Sequence, residues 1–132
     1  MKFFTIAELC KSTTADRLGI NNRCRQEHVT ALTALVDNVL DPLRTWWGKP
    51  ITVNSGYRCP ELNAAVKGSK TSQHMSGQAA DIDTGDRQQN KLLFEHIRKN
   101  LPFDQLIDES NFAWVHVSYR ADGRNRNQLL KL

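Results

Sequence analysis

His74 and Asp81 stand seven residues apart, with Gly77 between them to turn the chain. The aspartate falls inside the short apolar run of residues 78–83, which reads as a strand. A neutral imidazole nitrogen and a carboxylate oxygen delivered to one place suit zinc. That ion takes a tetrahedral shell and, in catalytic sites, three protein ligands with one position left for water. The third ligand is sought in Trp114-Val115-His116-Val117-Ser118-Tyr119, where His116 interrupts a β-prone alternation. Each residue has a simpler reading when taken alone: His74 as a loop histidine, Asp81 as a capping or salt-bridged carboxylate. Between Ala80 and Ile82, however, a buried carboxylate needs a partner or a cation to offset its desolvation.

The surrounding elements must bring these groups together. Residues 3–10 read as a short helix opened by Thr5, with Glu8 at the capping-box spacing, and residues 12–22 as a polar loop holding one helical turn near 15–18. From 26 to 47, Val29, Leu32, Leu35, Val36, Val39, Leu40, Leu43 and Trp47 recur at three and four. This is the stripe of a long amphipathic helix, which Pro42 should bend or divide and Gly48-Lys49-Pro50 ends. Residues 51–54 form a strand by β-branched content and 60–66 a short helix with Pro at its first turn. Residues 86–100 form a second long helix with Leu92, Leu93, Phe94 and Ile97 as core contacts, while His28 and His96 read as exposed or capping.

Residues 103–109 and 114–119 read as an antiparallel hairpin around a four-residue loop. With 109 opposite 114, residue 107 faces 116 and 105 faces 118, so Gln105, Ile107 and Glu109 share a sheet face with Trp114, His116 and Ser118. Glu109 is then a diagonal neighbour of His116, about 7 to 8 Å away between backbone positions, in range to serve as general base for water at the cation. A register slip of one residue would put Asp108 there instead, and a surface carboxylate at a hairpin end is the plain alternative for both. The predicted architecture is α+β, a small, mainly antiparallel sheet with helices packed on one side, in a single domain of residues 1–132.

A content of 39% hydrophobic and 24% charged residues excludes extended disorder, and no run approaches the apolar length of a membrane span. The opening Met1-Lys2-Phe3-Phe4-Thr5-Ile6-Ala7 is cut short as an export signal by Glu8 and Lys11, so synthesis in the cytoplasm without a signal peptide is expected. Cys10, Cys24 and Cys59 are odd in number and contain no CxxC pair, which reads as free thiols kept in a reducing compartment. The formal charge of +4, with Arg120, Arg124, Arg126 and Lys131 near the C-terminus, gives a mild attraction to polyanions such as an anionic bacterial wall. A nucleic-acid partner is not expected, since no binding motif or interleaved aromatics accompany the basic residues, and that tail reads as a solvated end.

Ser55-Gly56-Tyr57-Arg58, Leu62-Asn63, the run Ser72-x-His74-x-x-Gly77-x-Ala79-x-Asp81 and Trp114-Val115-His116-Val117-Ser118 together cover most of residues 50–119. In these the chain resembles the zinc D-alanyl-D-alanine carboxypeptidase family of bacterial cell-wall peptidases. That family includes phage endolysins that cut L-alanyl-D-glutamate bonds and shares its fold with the Hedgehog signalling domain. The resemblance implies Zn2+ held by His74, Asp81 and His116, a substrate carboxylate gripped by Arg58, and a substrate-contacting Ser72. Gln105, on the same sheet face, is placed with the substrate-binding residues. A planar, two-pronged guanidinium matches a carboxylate as lysine cannot, although a salt bridge on the turn is the structural alternative for Arg58. Several relatives place the catalytic acid three residues before the last histidine, where this chain has Ala113, so Glu109 would have to do that work from the neighbouring strand. Two functions follow. One is a zinc metallopeptidase acting as a monomer on peptidoglycan stem peptides, reaching the wall by lysis or particle assembly. The other is a catalytically silent wall-binding or phage-tail module of the same fold.

Overall fold

In the computed structural model, which describes residues 1–132, Thr5 accepts the Glu8 N–H and opens α1 (Ile6–Cys10). Ser12 caps α2 (Thr13–Leu18) in the same way, and Gly19 closes it in the left-handed conformation, so the helical turn expected near residues 15–18 begins earlier, at Thr13. The chain then doubles back and joins Cys10 to Cys24 in a disulfide, leaving Cys59 free. This corrects the reading of three free thiols. The pairing depends on two turns that bring Cα atoms to 6.5 Å, and a separation of 14 residues has no pattern of its own.

The apolar repeat of residues 26–47 folds as one rod in three parts: α3 (Gln26–Leu35), a π turn (Val36–Leu40) and α4 (Asp41–Trp47). Pro42 lacks an N–H and would clash with the turn before it. The rod answers by widening, with the Asp41 N–H reaching back five residues to the Val36 carbonyl. Leu32, Leu35, Val36, Val39, Leu40 and Leu43 are all fully buried along it, each contributing about 1.5–3 kcal/mol by leaving water.

After Gly48, strand β1 (Thr52–Ser55) leads to α5 (Pro60–Ala65), a 3-10 turn (Gln73–Ser76), β2 (Ala79–Asp83) and α6 (Arg87–Asn100). The hairpin β3 (Gln105–Glu109) and β4 (Trp114–Ser118) follows, then β5 (Gln128–Lys131). The sheet order is β1-β2-β4-β3-β5, antiparallel except for the parallel β3–β5 pair. The basic tail is therefore not simply a solvated end: it adds an edge strand, held by Arg126 against the buried Asp104.

Ala80, Ile82, Leu106, Val115 and Val117 project from one sheet face into the helical core with Leu93, Phe94 and Ile97 of α6. Leu92, expected in that core, is 53% exposed, because it lies one helical step off the buried stripe, which Asn90 occupies instead. Asn90 earns its burial through bonds: its amide donates to Asp83 and the Phe112 carbonyl and its oxygen accepts from Thr84. With the long helices on one face, the alternate residues Asp81, Ile107, Glu109 and His116 are left for a cleft on the other.

Candidate metal centre

Three local devices deliver the three ligand-type side chains. Ser72 accepts the His74 N–H at 3.2 Å and starts the 3-10 turn, which Gly77 ends at φ 75°. A Cβ at Gly77 would lie 2.8 Å from the His28 carbonyl oxygen, so glycine is required both for the backbone angle and for that approach. Asp81 and His116 are directly opposed across the β2–β4 ladder, on the face away from the helices.

His74, Asp81 and His116 are all buried, at 2%, 8% and 8% exposure. Asp81 Oδ1 lies 3.2 Å from His74 Nε2 and 3.0 Å from His116 Nδ1, and the three ligand atoms fall within 4.8 Å of one another. The other nitrogen of His74, Nδ1, is 2.7 Å from the Gly56 carbonyl oxygen. A carbonyl only accepts, so the hydrogen sits on Nδ1, and Nε2 of the neutral ring turns a lone pair towards a carboxylate oxygen. Two facing lone pairs need a proton or a cation between them. A tetrahedral shell at about 2.0–2.1 Å separates neighbouring ligand atoms by roughly 3.3 Å; the two distances to Asp81 Oδ1, 3.2 and 3.0 Å, are close to that, and two imidazoles with one carboxylate are a donor set that suits a zinc ion. The carbonyl behind His74 is the outer partner that commonly fixes a metal-binding ring. Burial alone would raise the Asp81 pKa, but the positive charge and hydrogen bonds that His74 and then His116 bring when protonated outweigh it and hold the carboxyl well below its ordinary range.

A cleft of about 560 Å³ opens over these residues. Arg58 lies on its wall, with Nη2 3.4 Å from Asp81 Oδ2, Nε 3.0 Å from Ser55 Oγ and Nη1 3.2 Å from Asn63 Oδ1. Its pKa is lowered, burial outweighing the attraction of Asp81 and Glu109. Ser72 and Gln105 also line the cleft; the Gln105 amide donates to Gln128 at 2.7 Å. Glu109 pairs with Trp114 and Ile107 with His116, which puts Glu109 on the ligand-bearing face, and it lines the cleft. Burial, followed by the charge of Asp81, pushes its pKa up. Asp108 points to the other face, buried, and accepts the Phe112 N–H. Ala113 supplies no functional group; its N–H closes the hairpin on the Glu109 carbonyl.

Several cleft residues escape a reading by motif. Leu130 and Leu132 reach it because β5 pairs with β3, and with Ile107 and Trp114 they give one side an apolar wall. Gln73 connects the ligand turn to Asp104 at 2.8 Å, and Asp104 in turn holds Arg126. Neither Gln73 nor Asp104 carries a motif signal beyond its place, Gln73 beside a ligand-type histidine and Asp104 before a strand.

An α+β sheet presenting two imidazoles and a carboxylate to a cleft has the make-up of a mononuclear metal protein. The sequence profile of the family described as Peptidase M15 matches residues 2–118, and the chain belongs to that family. It is also similar to a zinc D-Ala-D-Ala carboxypeptidase of Streptomyces albus G, with 38% identity over 76 residues, or 50% of this chain. The match covers 30% of that relative's length.

Proposed function

We propose that the protein is a zinc-dependent peptidase that hydrolyses amide bonds in peptidoglycan stem peptides, of the carboxypeptidase or endopeptidase type. The observation that carries this reading is the meeting of His74 Nε2, Asp81 Oδ1 and His116 Nδ1 within 4.8 Å at the floor of an open cleft. The chemistry a zinc ion supplies at such a place is Lewis acidity towards the amide carbonyl and towards water. In this reading Glu109, which lines the cleft, does the proton work: its carboxylate takes a proton from the attacking water and returns it to the departing amine. Its raised pKa suits the second half of that exchange.

Arg58 is the substrate's anchor in this reading. A guanidinium has five N–H donors; Ser55, Asn63 and Asp81 engage one each. The remaining N–H groups are available to a substrate carboxylate, while the engaged ones keep the fork from swinging. The structural and substrate roles of Arg58 are thus compatible. Ser72 and Gln105 offer polar contacts along the same cleft, and the apolar wall of Leu130 and Leu132 suits an alanine methyl. The Cys10–Cys24 disulfide supports work outside a reducing compartment, as a wall substrate requires.

Incubating zinc-loaded protein with purified stem peptides, with and without a chelator, tests the proposal by mass spectrometry. Chelator-sensitive release of an amino acid or peptide fragment is the expected result. Zinc-loaded protein that binds the peptides but leaves them intact identifies instead a silent binding module, the reading that Ala113 favours.

A further inference from the structure

Behind the ligand turn lies a second cavity, of about 430 Å³, whose walls come from residues 21–28, the Tyr57–Pro60 turn and Met75. It backs onto the metal cleft across the backbone bond from the Arg58 N–H to the His74 carbonyl, so Tyr57 faces one space and Arg58 the other. The groups that line it are mostly hydrogen-bond donors. The ion-paired arginines of the chain are Arg58, Arg98, Arg120 and Arg126. Arg23 and Arg25, on the cavity rim, are paired with no carboxylate.

His28 accepts the Arg25 N–H at Nδ1 and so carries its hydrogen on Nε2. Its ring stacks on Tyr57 at 4.2 Å between centroids. Tyr57 is 4% exposed, yet its hydroxyl bonds no protein atom; among buried side-chain atoms shut off from solvent only Gln73 Oε1 is without a partner, so the tyrosine hydroxyl opens into the cavity. Burial, then Cys59, raise its pKa, which keeps it a protonated donor. The rod beginning with α3 starts here as well, adding the positive end of its dipole. Glu27 is the one opposing charge on the rim.

We propose that this cavity is a binding site for a small oxyanion, a phosphate or carboxylate group, held by Arg23, Arg25, His28 and the Tyr57 hydroxyl. The Tyr57 hydroxyl reaches the cavity without a protein partner, and an anion seated among these donors accepts its hydrogen bond. Two guanidiniums against one carboxylate leave the rim net positive. The site stands apart from the metal ligands and does not depend on the peptidase reading.

The test is a 15N NMR titration of the zinc-loaded full chain with inorganic phosphate, dimethyl phosphate and acetate in turn, at fixed ionic strength so that general screening is constant. Saturable shifts at the amides of Arg25, Glu27, His28 and Tyr57 are expected with at least one anion. The anion that saturates first tells a monoester, a diester or a carboxylate source apart. The double variant Arg23→Gln/Arg25→Gln should bind at least about tenfold more weakly. Glu27→Gln should bind more tightly. Tyr57→Phe keeps the stacked ring and should lose several-fold in affinity without a lower unfolding midpoint. Shifts confined to the metal cleft, no saturation with any of the three anions, or affinity unchanged in the arginine double variant would each overturn the proposal.

Discussion

Replacing Arg126 by Gln should loosen the edge strand by an amount that depends on pH in a defined way. In the native chain Arg126 Nη2 lies 2.7 Å from Asp104 Oδ2, with Nε 3.1 and 3.2 Å from the two carboxylate oxygens. These bonds are the main reason the Asp104 pKa falls from 3.8 to about 2, helped by the Arg126 backbone N–H and Gln73 and opposed by burial. At 1.36 kcal/mol per pH unit the ceiling is roughly 2.4 kcal/mol. The Arg126 side chain is 50% exposed, and screening of that partner by water brings the expected loss to about 1 kcal/mol. A depressed carboxylate pKa stabilises fully above the unfolded value, near 4, and the contribution is lost as pH falls through about 2. Urea unfolding of the two proteins should show midpoints separated by roughly half a molar at neutral pH. The separation should close progressively in acid. Identical midpoints at neutral pH, or a gap that persists unchanged below about pH 3, would refute the reasoning.

Further outcomes follow from the site and the fold. His116→Ala should purify without stoichiometric zinc, as read by atomic absorption, where the parent protein retains it. Glu109→Gln should keep the metal and lower kcat by roughly 10²–10⁴-fold, whereas Asp108→Asn should leave turnover near normal and cost about 1 kcal/mol in unfolding, through its bond to the Phe112 N–H. Thiol titration of the native protein should find Cys59 alone, and Cys10→Ser should lower stability by about 3 kcal/mol for a loop of this length. Gly56→Ala would place a Cβ 2.1 Å from the Leu9 carbonyl oxygen, which is backbone and cannot swing aside, so circular dichroism on heating should show a lower Tm.

The parts of this fold legible beforehand are those where side-chain period and turn length act together. A four-residue loop between alternating runs fixed Glu109 opposite Trp114, and with it the face shared by Ile107 and His116. The interruption at Pro42 was visible too, although its form, a π turn, depends on how the backbone redistributes its bonds. What stayed hidden arises between distant segments. The cysteine pair needs the end of α1 to meet the segment that leads into α3, and β5 needs the edge that β3 offers. Leu92 misled because hydrophobicity by residue type ignores which side of α6 faces inward, a choice made by Asn90 and its partners. For the three ligand-type residues, spacing suggested the chemistry, but the approach of His74 is owed to the Gly56 carbonyl, which no motif announces.

That carbonyl has a wider reach. Gly56 lies against the Leu9 backbone, the neighbouring Tyr57 N–H donates to the Leu9 carbonyl at 2.8 Å, and residue 10 is one half of the disulfide. The staple at the N-terminal end therefore braces the very peptide unit that steers the His74 ring. Reduction would slacken the support beneath a ligand without touching the ligand itself, and the grip on the cation becomes coupled to the redox surroundings through three stretches of main chain.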